Sequence, residues 1–225
     1  MVTSYEAYQI KTFSLGIYNY CYTVVDKTTR TAVLVDPAWE LNKITDRLNQ
    51  SEAQLDAVLL THSHFDHINL VEPLLRLYNP DIYMSRKEID YYKFRCRNLY
   101  ELDDSDEITV GGTEISCILT PGHTTGGMCY LLSDRIFTGD TVFTEGCGVC
   151  NTRGGSAGQM FDSFQKIKSI VPSHVRVYPA HSFGMSPGQS LGHLLNNNIY
   201  FQIDKKEYFI NFRMRKNQRG LFDFK

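Results

Sequence analysis

Three imidazoles and one carboxylate crowd into six positions, His62-x-His64-x-Asp66-His67, directly after the aliphatic run Ala57-Val58-Leu59-Leu60. The run is short and rich in branched residues, the pattern of a buried strand. The histidines therefore leave the end of a strand on a loop, held by a rigid scaffold yet open to solvent. Neutral imidazole and carboxylate are the donors that a borderline-soft divalent cation such as zinc prefers. The plain alternative, a surface loop that happens to be rich in histidine, has to be weighed against what the rest of the chain supplies.

The flanking chain alternates between strand and helix patterns. Residues 8–15, 20–26 and 31–35 read as strands, with Gly16 and Asn19 at the first turn and Lys27-Thr28-Thr29-Arg30 as a polar hairpin loop. Leu41, Ile44 and Leu48 recur at helical spacing within 39–49, and a second helix is expected over 68–77. A short strand at 82–84 and a helix over 86–95 follow, then strand candidates at 107–110, 114–119, 128–132 and 135–137. The Gly-rich stretch 145–158 reads as a flexible loop, 159–170 as an amphipathic helix and 175–178 as a strand. From Pro187 the pattern is helical and polar, ending in the basic-aromatic run Phe212-Arg213-Met214-Arg215-Lys216. Two sheets packed face to face with helices outside satisfy this order. With 225 residues, 42% of them apolar, a single domain over 1–225 is expected, carrying a C-terminal helical extension at 186–225.

Three more strand ends deliver metal-competent side chains: His123 after Pro121-Gly122, Asp140 after Thr138-Gly139, and His181 after Ala180. Alone, each would be an ordinary loop residue. Together with His62, His64, Asp66 and His67 they make seven groups, enough for two four- to five-coordinate metals if one carboxylate bridges. Asp36 and Asp56 are candidates to orient the imidazoles from behind, with turn capping as the alternative. His174 and His193 lack partners in sequence and read as surface residues.

On these motifs the chain resembles the metallo-β-lactamase superfamily. The stretch Gly139-Asp140-Thr141-Val142-Phe143-Thr144-Glu145-Gly146-Cys147-Gly148 is similar to glyoxalase II, the hydroxyacylglutathione hydrolases, over residues from about 10 to about 185. The whole chain, tail included, resembles the zinc-dependent hydrolases encoded with Bacillus polyketide (bacillaene-type) pathways. The resemblance implies an α/β fold, a four-layer αββα sandwich with its site at one edge. It implies His62, His64 and His123 on one zinc, Asp66, His67 and His181 on a second, and Asp140 bridging. It further implies hydrolysis of an acyl thioester, with a hydroxide shared by the two cations attacking the carbonyl and Asp66 orienting it. A thioester needs little protonation of its leaving thiolate, so a separate general acid is not required.

The likeness to glyoxalase II stops at the thiol. Those enzymes grip glutathione partly with a Lys and a Tyr just after Gly-Cys-Gly and a Tyr two residues after the last histidine; here Val149, Asn151 and Phe183 stand in those places. A phosphopantetheine arm, on coenzyme A or an acyl carrier protein, is the better expectation. Arg213, Arg215, Lys216 and Arg219 are then candidates to meet its phosphate or an acidic carrier surface, against the alternative of a solvated basic end. Cys147-x-x-Cys150 has redox spacing but lies in the Gly-Cys-Gly loop rather than before a thioredoxin-like helix. Cys117 and Cys129 sit in strand patterns and read as small core residues.

A net charge of −2 gives no general attraction to nucleic acid, and no apolar stretch reaches a membrane-spanning length. Six cysteines without a secretory leader pattern suggest a cytoplasmic protein with reduced thiols. Competing readings are a hydroxyacylglutathione hydrolase, a sulfur dioxygenase built on one iron held by two His and one Asp, a β-lactamase or lactonase, and a carrier-binding subunit that keeps metal only for stability.

Overall fold

The computed structural model describes residues 4–216 and 218. One sheet carries β1 (Tyr5–Ser14), β2 (Ile17–Asp26), β3 (Thr31–Val35), β4 (Gln54–Leu59), β5 (Asp81–Ser85) and β6 (Leu99–Leu102), side by side in that order. The other carries β7 (Glu107–Val110), β8 (Thr113–Leu119), β9 (Met128–Leu131), β10 (Arg135–Gly139), β11 (Arg176–Pro179) and β12 (Gln189–Ser190), again neighbours in chain order. Helices α1 (Leu41–Gln50), α2 (Phe65–Ile68), α3 (Val71–Leu77) and α4 (Arg86–Tyr92) belong to the first half. Helices α5 (Ala157–Ile170), α6 (Leu191–Asn197), α7 (Ile199–Gln202) and α8 (Lys206–Arg213) belong to the second.

Side-chain alternation builds the layers. In β2, Tyr20, Tyr22 and Val24 face the second sheet, where they meet Met128, Tyr130 and Phe137. Cys21 and Val25 face the other way and pack with Ile44, Leu48, Leu74 and Ile89 of the helices. Strand β3 splits likewise, Val33 and Val35 inward and Ala32 and Leu34 outward. A strand buried on both faces must read as a continuous apolar run, which is why β3 and β4 were legible. The outer face of the second sheet packs on α5 to α8 through Ile118, Cys129, Ile136, Phe164, Leu194 and Phe209. The expected αββα sandwich is what forms.

Several boundaries differ from expectation for local reasons. The helix at α4 stops at Tyr92 because Lys93 takes φ +60, a left-handed cap. The helix expected over 68–77 is split, and α2 starts inside the histidine motif, so Asp66 and His67 lie on a helical turn. Strand β6 went unread because two of its four residues are exposed. The C-terminal stretch is not a polar appendage: Leu191, Leu194, Tyr200, Phe201 and Phe209 are all buried in the layer outside the second sheet. The start of stretch 145–158, expected to be a flexible loop, is tied down: Asn198 Nδ2 donates to the carbonyls of Gly146 and of Phe143 just before it, at 2.9 Å each. Cys117 and Cys129 are buried core residues, as expected. Among the described residues no helix is long and apolar enough to cross a membrane.

The two sheets are also tied by a charge. Asp26, at the end of β2, is 2% exposed. Its Oδ1 accepts from Thr28 N (3.0 Å) and Thr29 N (2.8 Å); its Oδ2 accepts from Gly112 N (3.1 Å) and Thr113 Oγ1 (3.2 Å) across the sandwich. The Thr29 amide, with those of Thr28 and Gly112, holds the carboxyl below its usual range against the effect of burial. A depressed acid stabilises the fold above its unfolded pKa, near 3.9, and loses that contribution as pH falls through the folded value. Asp26→Asn should therefore cost about 1–3 kcal/mol at pH 7, because an amide NH₂ would face N–H donors. Thermal unfolding should show the gap between variant and parent narrowing toward pH 3; a gap independent of pH would remove the argument.

Candidate metal centre

Four loops meet at one edge of the sandwich, each leaving the end of a strand. The segment after β4 carries His62, His64, Asp66 and His67; that after β8 carries His123; Asp140 follows β10 and His181 follows β11. The ends of β4 and β10 approach so closely that a side chain at Gly139, where φ is +48, would run into Thr61.

Three clusters of donor atoms result, each within 4.8 Å: His62, His64 and His123; Asp66, His67 and His181; and His62, His67 and Asp140. The first two are the sets the resemblance implied. Asp140 lies between them, with Oδ2 3.4 Å from His123 Nε2 and Oδ1 3.6 Å and 3.5 Å from the Nε2 atoms of His67 and His181. One carboxylate thus reaches toward both sets, as a bridging group must.

The imidazoles are oriented from behind. His123 Nδ1 lies 2.7 Å from the Val149 carbonyl and His181 Nδ1 2.8 Å from that of Tyr18, so each ring donates to a main-chain oxygen and turns Nε2 toward the cluster. His67 Nδ1 lies 3.0 Å from Asp36 Oδ2, and Asp36 also accepts from Thr61 N and Oγ1 at 2.8 Å and 2.6 Å. Asp36 therefore does orient a ring. Asp56 does not: it sits at the register shift near the start of β4, beside Asp81, which with burial raises its pKa.

The donors fit a divalent cation. His62 Nε2 and His123 Nε2 both point at His64 Nδ1, at 3.1 Å and 2.9 Å, and a single ring nitrogen cannot satisfy both by hydrogen bonding with its one proton. His67 Nε2 and Asp140 Oδ1 are buried with no hydrogen-bond partner. Burial keeps His62, His64 and His123 below the usual imidazole range, His123 down to about 4, so they present the neutral form that ligates metal. At His67 burial pulls the same way, but Asp66, Asp36 and Asp140 outweigh it and hold the ring up to about 10. Burial would raise Asp66, yet His67 and His181 hold it well below the carboxylate range. Three carboxylates around one imidazole make a position that seeks positive charge.

A cavity of about 220 Å³ opens on this cluster between Ile17, Phe143, Val149 and Thr152. Among the described residues no Lys or Arg lines it. The basic tail is divided. Arg213 is 3% exposed and its Nε donates to the Gly148 carbonyl at 2.9 Å, a strut under the Gly-Cys-Gly loop, and it also lines the tail cavity described next. Arg215 and Lys216 are exposed and, with Asn151 and Gln218, line a separate cavity of about 310 Å³. Arg219 lies outside the described residues. Cys147 and Cys150 are buried, and burial raises both thiols, which makes them poor nucleophiles. His174 is exposed, whereas His193 is half-buried on α6.

Residues unread in the sequence complete the support. Asn19 Nδ2 donates to the Asp66 carbonyl at 2.8 Å while its Oδ1 accepts from Trp39 Nε1 at 2.6 Å. Glu88, fully buried on α4, spans two ligand loops. Its Oε1 accepts from Ser63 N (2.9 Å) and Ser63 Oγ (2.8 Å), between His62 and His64; its Oε2 accepts from Gly126 N (2.9 Å), beyond His123. The only signal for Glu88 was Ser85-x-x-Glu88, a helix-start spacing. Ser85 does cap Glu88 N, but the carboxylate turns away to the ligand loops.

An αββα sandwich with histidine and aspartate donors converging at its edge is a metalloprotein of the metallo-hydrolase architecture. Residues 16–181 match the model of the Metallo-beta-lactamase superfamily, and the chain belongs to that superfamily. It is 62% identical to a Bacillus subtilis (strain 168) protein named "Probable polyketide biosynthesis zinc-dependent hydrolase PksB", over all of both chains. It is 34% identical to the hydroxyacylglutathione hydrolase of Pseudoalteromonas translucida (strain TAC 125), over 78% of this chain and 65% of that one. The crystal structure of ETHE1 from Myxococcus xanthus superposes with a TM-score of 0.84 at 28% identity, covering 96% of this chain and 95% of the other.

Proposed function

We propose that this chain is a zinc-dependent hydrolase of acyl thioesters that holds two zinc ions and acts on an acyl group borne by a phosphopantetheine arm. The observation that carries the reading is the pair of donor sets reached by the two oxygens of Asp140. His62, His64 and His123 would hold one ion, Asp66, His67 and His181 the other, with Asp140 between. Zinc bound there supplies Lewis acidity and lowers the pKa of water. The full length shared at 62% identity with a protein named for polyketide biosynthesis supports a place in polyketide antibiotic synthesis. Six unpaired cysteines suit a cytoplasmic setting.

The chain's own groups do the rest. Asp66 lines the cavity with part of its carboxylate exposed, where it orients the attacking oxygen through that oxygen's proton. Ile17, Phe143 and Val149 exclude water from the bound acyl thioester. Among the described residues no side chain there offers an ammonium or guanidinium to the carboxylates of glutathione, and each missing charge-assisted hydrogen bond is worth about 1.5–3 kcal/mol. A neutral pantetheine arm loses nothing by this. A third cavity of about 120 Å³ shares Phe143 and Cys147 as wall residues with the metal cavity and Arg213 and Arg215 with the tail cavity, and we place the arm along this side of the protein. Its phosphate then meets Arg215 and Lys216.

Hydrolysis of one acyl group on glutathione, coenzyme A and a carrier protein tests this. The pantetheine thioesters should exceed glutathione in kcat/KM by about tenfold or more, the worth of one such hydrogen bond. Preference for glutathione would restore the hydroxyacylglutathione reading. One iron per chain with oxygen uptake on a persulfide would establish a sulfur dioxygenase instead. Arg215→Glu with Lys216→Glu should raise KM for coenzyme A and carrier thioesters alike by about tenfold, leaving kcat in place; unchanged KM would free these residues of the role.

A further inference from the structure

We propose that the turn after α4, together with Arg153, is a docking surface for an acidic protein, the carrier that delivers the acyl arm. The identity of that partner rests on the proposed function; the surface itself rests on separate observations. Segment 93–97 alternates: Lys93, Arg95 and Arg97 are exposed, while Phe94 and Cys96 turn inward and pack on the layer outside the first sheet. All three cations are therefore left on the solvent side of the segment.

None of the three, nor Arg153, pairs with a carboxylate among the described residues. Some cations elsewhere do pair, as Lys43 does with Glu40, Lys166 with Asp104 and Lys206 with Asp162, while others, Arg76, Lys87 and Lys168 among them, do not pair among the described residues. What sets 93–97 apart is that three exposed cations fall within five residues. Two carboxylates stand near them, Asp90 on α4 and Glu72 of α3, which itself lines the cleft described next.

One of the cations stands at an apolar cleft. Arg95 lines a space of about 230 Å³ with Phe65, Ile68, Val71, Phe94 and Cys96, and with Asn69 and Glu72 as its other polar residues. Phe65 is 65% exposed although it stands between two metal-type ligands, His64 and Asp66. Arg153 lies over Tyr91 and Tyr92, at 5.4 Å and 5.8 Å from the ring centroids, and its carbonyl accepts from the Tyr92 hydroxyl. Its neighbour Thr152 lines the metal cavity. A run of exposed cations beside an apolar cleft fits an acidic amphipathic helix, with charge steering the encounter and apolar burial holding it. A partner seated there stands beside the site mouth.

Arg95→Glu with Arg97→Glu tests the surface. Both side chains are exposed and neither lines the metal cavity, so the variant should keep its thermal midpoint. With one acyl group on a phosphopantetheinylated carrier and on coenzyme A, KM for the carrier substrate should rise by about tenfold or more, and the steep salt dependence of that reaction should flatten. The coenzyme A reaction should stay within about twofold, since it makes no contact with the patch. Unchanged carrier kinetics would overturn the proposal, as would an equal loss on coenzyme A, which would assign the residues to the arm. Fluorescence anisotropy of the labelled carrier separates docking from turnover. If neither thioester is cleaved, the hydrolase reading fails alone, and docking stands or falls on whether the parent binds carrier more tightly than the variant.

Discussion

Asp140→Ala should leave a chain that retains about half or less of the zinc of its parent after dialysis and hydrolyses thioesters at least ~10³-fold more slowly. The expected loss exceeds the about 10–100-fold in metal affinity that follows from removing a group behind a ligand. Asp140 Oδ1 approaches His67 and His181 while Oδ2 approaches His123, so its removal acts on both donor sets at once. Its Oδ1 has no hydrogen-bond partner, so truncation to alanine breaks no hydrogen bond at that atom and folding should survive. Elemental analysis and circular dichroism on the dialysed variant separate loss of metal from loss of fold. A folded variant with full zinc and full activity would end the bridging assignment, and with it the hydrolase proposal built on two ions.

Glu88→Ala should separate the two donor sets. Truncation orphans the Ser63 and Gly126 amides, the second in a fully packed site where even a methyl group on Gly126 would strike α4. A buried orphan such as the Gly126 amide costs about 1–3 kcal/mol, and the half-buried Ser63 amide costs less, so a fall in stability of about 2–4 kcal/mol is expected. Ser63 sits between His62 and His64, and Gly126 follows His123, so the set that loosens is the all-histidine one. Zinc should bind there about 10–100-fold more weakly while the Asp66, His67 and His181 set keeps its affinity. Glu88→Gln retains one acceptor and turns its NH₂ toward a donor, so it should fall between parent and alanine. Two-step zinc titrations and thermal unfolding read both effects. If both affinities drop equally, Glu88 supports the fold generally and not one metal position.

What could be read from residues alone follows from the range over which each signal acts. The histidine motif was legible because four donors fall within six positions after a recognisable strand. The layers were legible in β3 and β4 because burial on both faces forces unbroken aliphatic runs. Arg213 reads in sequence as a cation free to meet an anion; only the fold brings it beneath Gly148, 65 positions away. The glycines of 145–158 likewise suggest a freedom that Asn198 removes at Gly146. Glu88 was hidden behind a helix-capping pattern that explained it adequately.

The sequence by itself determined the donor chemistry and the alternation that separates inner from outer faces, because both are properties of neighbouring residues. Tertiary structure alone decided which histidines face one another, that Asp140 reaches both sets, and that Glu88 ties two of the loops together. Those are distances between residues far apart in the chain, and they exist only after two sheets have packed and brought their strand ends to a common edge.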